Sequence, residues 1–346
     1  MLRMQRLFAL LCGVMMTLFV SFYTYTNTNK GLLVGGVPRI ATMSNTATKV
    51  HNLVCEPPNK KMRYRDWRNL CSSNFVKESA ELLLKGEVMS VVQIGAHTGF
   101  EQNDPIANGL SRLLKEVAAV VPHHISSNEV RQNFHWAFIE PSPANFKKLT
   151  RNLAKHSALC DMRAVNAAVI PESLTEQDTI SGTTKRMVFY SLRDTIDPET
   201  GYDSISGKML PPWITQVSSF SKEPILTNER EFTRRGLDVN DYIVEIEVDT
   251  KSYSNLMQKV LHGGYNSQQA PLLVLIDTEG FDCNIIKGIS TSSPYLPKYL
   301  VYEHKSCDRA DYQEAIEHLK SMGYDLLRSG ENMLAVRKEG MMLKGV

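Results

Sequence analysis

The sequence lacks several patterns that define common protein classes. It has no Cys-x-x-Cys pair, which argues against a zinc ribbon. It also has no Gly-x-Gly-x-x-Gly run, which a nicotinamide-dependent oxidoreductase is expected to carry. The formal net charge is only +2 over 346 residues, so charge gives no indication of a nucleic-acid partner. With 42% hydrophobic residues, the chain can bury the core of one large domain or two small ones.

Acidic residues are missing before Glu56, and in this region Leu7–Tyr25 is uncharged and mostly apolar. These 19 residues are about enough to cross a hydrocarbon core of roughly 30 Å. Arg3 and Arg6 precede the run, which places the N-terminus in the cytosol by the positive-inside rule. The pattern predicts a signal anchor over residues 1–25 and a single-pass type II membrane protein with its body in the lumen of the Golgi or endoplasmic reticulum. A cleaved signal peptide and an organelle transit peptide are alternatives.

Residues 26–73 are interpreted as a stem or linker, because their first part is rich in Thr, Asn, Gly and Pro and has little periodicity. The main domain is predicted over residues 74–346, with insertions near 100–131 and 171–235.

The cysteines divide into two groups. Cys55 and Cys71 flank a basic segment and can form a disulfide in an oxidising compartment. Cys160, Cys283 and Cys307 are scattered, and we expect them to be small buried hydrophobic residues.

Short apolar runs alternate with helical patterns through the main domain, which predicts an α/β fold with a doubly wound, mostly parallel, Rossmann-like sheet. The predicted strands of this sheet are Val88–Ile94, Phe134–Ile139, Met162–Ile170, Leu272–Asp277 and Tyr299–Glu303. A C-terminal antiparallel hairpin, Tyr324–Arg328 with Met333–Arg337, is expected at its edge. Two further short strands, Met187–Leu192 and Trp213–Phe220, are predicted within the second insertion.

Three of these strands end in residues with functional chemistry. Gly95 and Gly99 follow the first strand, where the chain must turn tightly and a ligand can approach the backbone. Glu140 follows the second strand, and a carboxylate there can accept hydrogen bonds from a ribose diol. Asp277 and Glu279 follow the most apolar strand. Ligands of open α/β sheets bind beyond the carboxyl ends of the strands, so these residues predict one cleft.

The runs VVQIGAHTG, FIEPSPANFKKLTRNL, LLVLIDTEGFDCNIIKGI and PKYLVYEH occur in an order that resembles the FkbM-type methyltransferases. The resemblance covers about residues 88–337. It implies a fold of the class I methyltransferase type, S-adenosyl-L-methionine as cofactor, and methyl transfer to a hydroxyl group of a small molecule or glycan, with a glycolipid as another acceptor. An NAD-dependent oxidoreductase and a non-enzymatic nucleoside-binding module on the same fold are alternatives.

The resemblance also implies roles for individual residues. Gly95, Ala96 and Gly99 would line the methionine end of the cofactor, Glu140 would hold its ribose hydroxyls, and the loop with Asn166 and Ala167 would lie near its adenine.

The first strand departs from the family at two cofactor-binding positions. Gln93 stands where the family commonly has an acid, so a contact of that acid to the cofactor amino group does not carry over. His97 stands where the family commonly has Asn.

An alcohol acceptor must lose a proton during methyl transfer, and a positioned carboxylate or His can accept it. The candidates are Asp277, Glu279 and His304, with His97 behind them; Asp277 would also lie beside the cofactor. A divalent cation on Asp277, Glu279 and Glu303 is a variant of this site, since Mg²⁺ and Ca²⁺ prefer oxygen ligands.

Overall fold

The computed structural model describes residues 38–56, 65–99, 105–121, 125–174, 185–262 and 270–338. The chain divides into two units, Met1–Asn45 and Thr46–Val346. The first unit is described only where helix α1 begins, and all the other elements belong to the second.

The helices are α1 Pro38–Cys55, α2 Arg65–Ser72, α3 Phe75–Leu84, α4 Pro105–Val120, α5 Ser127–Gln132, α6 Pro143–His156, α7 Glu223–Leu226, α8 Glu229–Thr233, α9 Tyr253–His262, α10 Asp282–Lys287 and α11 Arg309–Ser321. The strands are β1 Met89–Ile94, β2 Phe134–Ile139, β3 Asp161–Val165, β4 Ala168–Ile170, β5 Arg186–Leu192, β6 Ile243–Ser252, β7 Leu273–Ile276, β8 Tyr299–Glu303, β9 Tyr324–Ser329 and β10 Asn332–Arg337.

The main sheet has seven strands in the order β3-β2-β1-β7-β8-β10-β9. Strands β3, β2, β1, β7 and β8 pair in parallel, and β10 runs antiparallel to both β8 and β9. This order confirms the predicted doubly wound, Rossmann-like sheet of the class I methyltransferase type with a C-terminal antiparallel hairpin. The strand order reverses between β1 and β7, which is where such sheets bind their ligands.

Both faces of this sheet are buried, and this explains why its strands are continuous apolar runs. Val91 and Phe138 belong to one hydrophobic cluster, which also includes residues of α3 and α4. Val92 and Ile276 belong to the cluster on the other face, together with residues of α9, α10 and α11. The apolar residues of β1 therefore alternate between two cores.

A second, three-stranded sheet has the order β4-β6-β5. The prediction of one strand over Met162–Ile170 is wrong, because the chain leaves the main sheet after Val165 and Ala168–Ile170 pairs with β6 instead. The predicted strand Trp213–Phe220 is also wrong. A 3-10 helix occupies Pro212–Gln216, since the adjacent Pro211 and Pro212 cannot donate hydrogen bonds to a neighbouring strand.

The segment between β5 and β6 has a hydrophobic core of its own. Its buried residues are Leu192, Ile196, Leu210, Ile214, Val217, Ile225, Phe232, Val239 and Tyr242. This segment therefore packs as a compact unit beside the main sheet, and its 3-10 helix leads directly towards the cavity described below.

Two disulfides link four of the cysteines in the described part of the chain. The Cys55–Cys71 disulfide confirms the predicted pairing. Cys283 and Cys307 also form a disulfide, with their Cα atoms 6.0 Å apart, so the expectation that they are simply small buried hydrophobic residues is wrong. The fold brings together the first turn of α10 and the loop after β8, which the sequence spacing does not show. Cys160 is a buried free thiol, and burial raises its pKa to about 12.

None of the helices in the described part of the chain is both long and apolar enough to cross a membrane. This finding contradicts the prediction of a single-pass type II membrane protein with a lumenal body. The apolar run Leu7–Tyr25 itself lies outside the described residues. Val50, Val54, Trp67 and Leu70, from the segment interpreted as a stem, are buried in the same cluster as β1.

Candidate active site

A cavity of about 320 Å³ lies beyond the carboxyl ends of β1, β2 and β7. Its lining includes residues from the loops after all three strands, together with residues from α2, from β4 and β5, and from the segment after the 3-10 helix. The polar or charged side chains that line it are Asp66, Gln93, His97, Glu140, Gln216, Ser218, Asp277, Thr278, Glu279 and Asn332. The switch point of the sheet thus coincides with the cavity.

The loop after β1 forms one wall of this cavity, and its conformation requires glycine. Gly95 has a φ of 78°, and a Cβ atom there would lie 1.7 Å from the backbone oxygen of Asp277. The backbone N–H groups of Gly95 and Ala96 both donate to the carbonyl of Ile139, at 3.0 and 2.9 Å. The β1 loop is therefore pressed against the ends of both neighbouring strands, which leaves room for a ligand above it.

Glu140 binds this loop through its side chain. One carboxylate oxygen accepts a hydrogen bond from the backbone N–H of His97 at 2.8 Å, and the other accepts one from the N–H of Ser142 at 2.9 Å. The residue is only 4% exposed. Burial raises the pKa of Glu140 to about 7, although the nearby His97 and the two backbone donors oppose this rise. The side chain of Asn145 also donates a hydrogen bond to this carboxylate, and the acceptor capacity that remains can be used by a ligand hydroxyl.

His97 occupies the middle of the loop with a φ of 48°. Its ring nitrogen Nε2 lies 3.3 Å from the hydroxyl oxygen of Thr215, on the 3-10 helix. Electrostatic interaction with His97 lowers the pKa of both Glu140 and Glu279. The imidazole is therefore close enough to both carboxylates to interact with each of them.

The loop after β7 supplies the remaining acids of the cavity. Asp277 is exposed, whereas Glu279 is half-buried and has a φ of 53°. Burial, followed by the negative charges of Glu303 and Asp282, raises the pKa of Glu279 to about 7. Asp282 lies behind this loop with no exposed surface. Burial raises its pKa to about 6, and it accepts hydrogen bonds from the backbone N–H and the hydroxyl of Thr278.

The ionisable side chains of the cavity lining are mostly acidic, with His97 as a basic group among them. Asp66, Glu140, Asp277 and Glu279 are carboxylates, and no Lys or Arg is found among the described residues that line the cavity. A low-dielectric cleft with this lining attracts cations and repels anions.

Most of the predicted site residues meet in this cavity. Its lining includes Gln93, Gly95, Ala96, His97, Gly99, Glu140, Ala167, Asp277 and Glu279. Asn166 does not line it, and its side-chain amide donates to the carbonyls of Glu140 and Pro141. His304 also lies outside the lining: it is buried, with its ring 5.1 Å from that of Tyr312.

Several lining residues were not predicted from the sequence. Phe189, Phe220 and Phe281 form a continuous aromatic wall, with ring centroids 5.3 and 4.8 Å apart. Asp66 lies in α2, within the segment interpreted as a stem. In the sequence, Asp66 is a single acidic residue at the start of an amphipathic helical turn. Such a residue is also expected where an acid merely stabilises a helix N-terminus, so the sequence alone does not identify it as a site residue.

The divalent-cation variant of the site finds no support in the geometry. Over the ranges that the structure describes, no three His, Cys, Asp or Glu residues lie close enough together to hold a metal ion.

No family model and no curated protein matches the chain. Among solved structures, it is similar to a protein from Thermoplasma acidophilum described as a methyltransferase, with 11% identity, a TM-score of 0.29, and coverage of 74% of this chain and 70% of that chain. It is also similar to the precorrin-6y C5,15-methyltransferase of Geobacter metallireducens GS-15, with 10% identity, a TM-score of 0.26, and coverage of 82% and 94%. A third similar structure is cofactor-bound Rv0187 from MTB, with 12% identity, a TM-score of 0.27, and coverage of 91% and 95%. TM-scores this low support no inference about activity. The fold is therefore assigned from the strand order of the main sheet.

Proposed function

We propose that this protein is an S-adenosylmethionine-dependent O-methyltransferase of the FkbM type. The observation that carries the proposal is the charge of the cavity lining, where Asp66, Glu140, Asp277 and Glu279 have no Lys or Arg beside them in the described lining. S-adenosylmethionine carries a sulfonium and an ammonium against one carboxylate, so its net charge is positive. A nicotinamide dinucleotide carries an anionic pyrophosphate, which this lining would repel. The cavity therefore favours methyl transfer over the oxidoreductase alternative.

The residues of the cavity fit this cofactor. The β1 loop, from Gly95 to Gly99, has the small residues and the left-handed backbone that allow a ligand to lie against the main chain. Glu140 would accept hydrogen bonds from the ribose hydroxyls. Ala167 would face the adenine. When bound, S-adenosylmethionine supplies a methyl group on a good leaving group, so alignment of the acceptor provides much of the acceleration.

Glu279 is the residue we assign as general base. Its carboxylate lines the cavity, and a pKa of about 7 is close to the value at which a base is both ionised and able to accept a proton at neutral pH. Asp277 lines the same wall and would orient the acceptor hydroxyl. His304 is buried outside the lining of the cavity, so we assign it no contact with the acceptor. The acceptor itself is proposed to be a hydroxyl of a small molecule or glycan, on the strength of the FkbM resemblance.

A methyl-transfer screen tests this proposal. The purified full-length protein is incubated with S-adenosylmethionine labelled in the methyl group and with panels of sugars and phenols. We expect labelled product with at least one hydroxyl acceptor, and ~10²- to 10⁴-fold slower transfer by Glu279→Gln. Glu317→Gln, which removes an exposed carboxylate on α11, serves as the matched control. Equal rates for Glu279→Gln and the control would refute the assignment of the base.

A further inference from the structure

Asp66 has a carboxylate oxygen in an unusual environment. Its Oδ1 atom is shielded from solvent and has no hydrogen-bond partner among the described residues, whereas Oδ2 accepts a hydrogen bond of 3.0 Å from the side-chain amide of Asn332. A buried carboxylate oxygen without a donor costs free energy relative to one that is hydrogen-bonded. The side chain nevertheless lines the cavity, as does Asn332. The Asp66 carboxylate therefore borders the cavity with one acceptor oxygen unsatisfied, and the Asn332 amide fixes its orientation.

The position of Asp66 within the cavity narrows down the group that it can bind. Gln93, Leu275 and Val301 lie side by side on β1, β7 and β8, because Gln93 pairs in register with Leu275 and Leu275 pairs with Val301. These three residues line the cavity together with Asp66. Leu275 and Val301 belong to the same face of the sheet as the core residues of α2. Asp66 thus belongs to the α2 side of the cavity.

Ala167 and Val169, by contrast, are grouped with the opposite face of the sheet. They also line the cavity, at the side where the adenine is proposed to lie. A ligand that extends from Ala167 past Glu140 and the glycine loop would therefore place its far end near Asp66.

We propose that Asp66 binds the α-ammonium group of S-adenosylmethionine through its side-chain carboxylate. The assignment rests on the proposed function and adds a binding residue that lies outside the three strand-end motifs. An ammonium donates up to three hydrogen bonds, and a hydrogen bond between two charged groups is about twice as strong as a neutral one. A primary ammonium would supply the hydrogen-bond donor that Oδ1 lacks and a positive charge to balance the carboxylate. Gln93 also lines the cavity, but it is uncharged and cannot supply a negative charge to pair with the ammonium.

Calorimetric titration with two ligands tests this assignment. S-adenosylhomocysteine and 5′-methylthioadenosine share the adenosine and a thioether sulfur, but only the first carries an amino-acid group. In the full-length protein we expect Asp66→Asn to weaken binding of S-adenosylhomocysteine about 10- to 100-fold and to leave binding of 5′-methylthioadenosine unchanged. Asp325→Asn, an exposed β9 carboxylate that pairs with Lys338, is the matched control and should change neither affinity.

Each other outcome has a definite meaning. Equal weakening of both ligands by Asp66→Asn would show a structural role and overturn the assignment, as would unchanged binding of both. If Asp66→Asn does not fold, the wild-type protein still tests the assignment. Equal affinity of the wild-type protein for the two ligands would show that the amino-acid group of S-adenosylhomocysteine adds nothing to binding, and this would overturn the assignment. Failure of the wild-type protein to bind either ligand would instead overturn the proposed function, and the assignment with it.

Discussion

The backbone N–H of His97 donates a 2.8 Å hydrogen bond to the carboxylate of Glu140, although 43 residues separate the two in the sequence. This bond joins the loop after β1 to the end of β2. The same carboxylate also accepts from the N–H of Ser142, just before α6. One buried acid therefore fixes the shape of the glycine loop and faces the ligand cavity, so a change at this residue should affect both stability and binding.

Glu140→Gln should weaken binding of S-adenosylmethionine by about 10- to 100-fold, because one or two hydrogen bonds to a charged acceptor become neutral ones. The measurement is calorimetric titration of the full-length protein. Glu317→Gln serves as the surface control, since it removes a carboxylate far from the cavity lining. An affinity of Glu140→Gln equal to that of the control would show that Glu140 does not contact the ligand.

The stability of the protein should depend on pH through Glu140. Its pKa is raised from 4.5 to about 7 in the folded protein, so the folded chain retains a proton that the unfolded chain has already lost above pH 4.5. This contribution to the free energy of unfolding is fully present below pH 4.5 and is lost as the pH rises through 7. It amounts to something on the order of 3 kcal/mol.

Urea unfolding of the wild-type protein and Glu140→Gln at pH 5 and pH 8 measures this effect. The free energy of unfolding of the wild-type protein should fall more between these values than that of the variant, because Gln does not titrate. Glu279, whose pKa is also about 7, adds a change of the same sign to both proteins. Identical pH dependence in the two proteins would contradict the raised pKa of Glu140.

Gly95→Ala and Gly207→Ala form a matched pair of substitutions. Both glycines have a positive φ, at 78° and 69°, so alanine is strained at each by about 1–2 kcal/mol. Only Gly95 faces a steric obstacle, since its Cβ would lie 1.7 Å from the backbone oxygen of Asp277, whereas nothing lies within 4 Å at Gly207. Gly95→Ala should therefore lower the free energy of unfolding by ~4 kcal/mol or more, and Gly207→Ala by ~1–2 kcal/mol. Equal urea midpoints for the two variants would argue against the close approach of the β1 and β7 loops.

The disulfides make a prediction about thiol reactivity. Alkylation of the denatured protein without reductant should leave Cys55, Cys71, Cys283 and Cys307 unlabelled, and the free thiol of Cys160 should react. Peptide mass spectrometry before and after reduction assigns each site. Labelling of Cys283 and Cys307 without reductant would show that this pair is not oxidised.

The apolar runs were sufficient to predict most of the main sheet. Phe134–Ile139 and Tyr299–Glu303 have the predicted bounds, because each is a short run buried on both faces and limited by residues that turn the chain. The strand ends then placed Gly95, Glu140 and Asp277 at one edge, since parallel strands end on the same side of a sheet. These features depend on local patterns, which a single sequence contains.

Features that depend on contacts between distant segments could not be predicted. The acid Asp66 lies far from β1 in the sequence, and only the packing of α2 brings it to the cavity. Similarly, only the fold brings Cys283 and Cys307 together. The strand predicted over Trp213–Phe220 failed for a related reason: Ile214 and Val217 pack into the core between β5 and β6, and in the described structure pairing with β5 is confined to a bridge between Ser219 and Tyr190.

Calorimetric titration of the wild-type full-length protein with S-adenosylmethionine, and in parallel with NAD, tests the central claim most directly. The acidic cavity predicts saturable binding of one S-adenosylmethionine per chain and no measurable binding of NAD. Binding of NAD, or no binding of S-adenosylmethionine by the folded protein, would contradict the assignment of this cavity as a methyl-donor site.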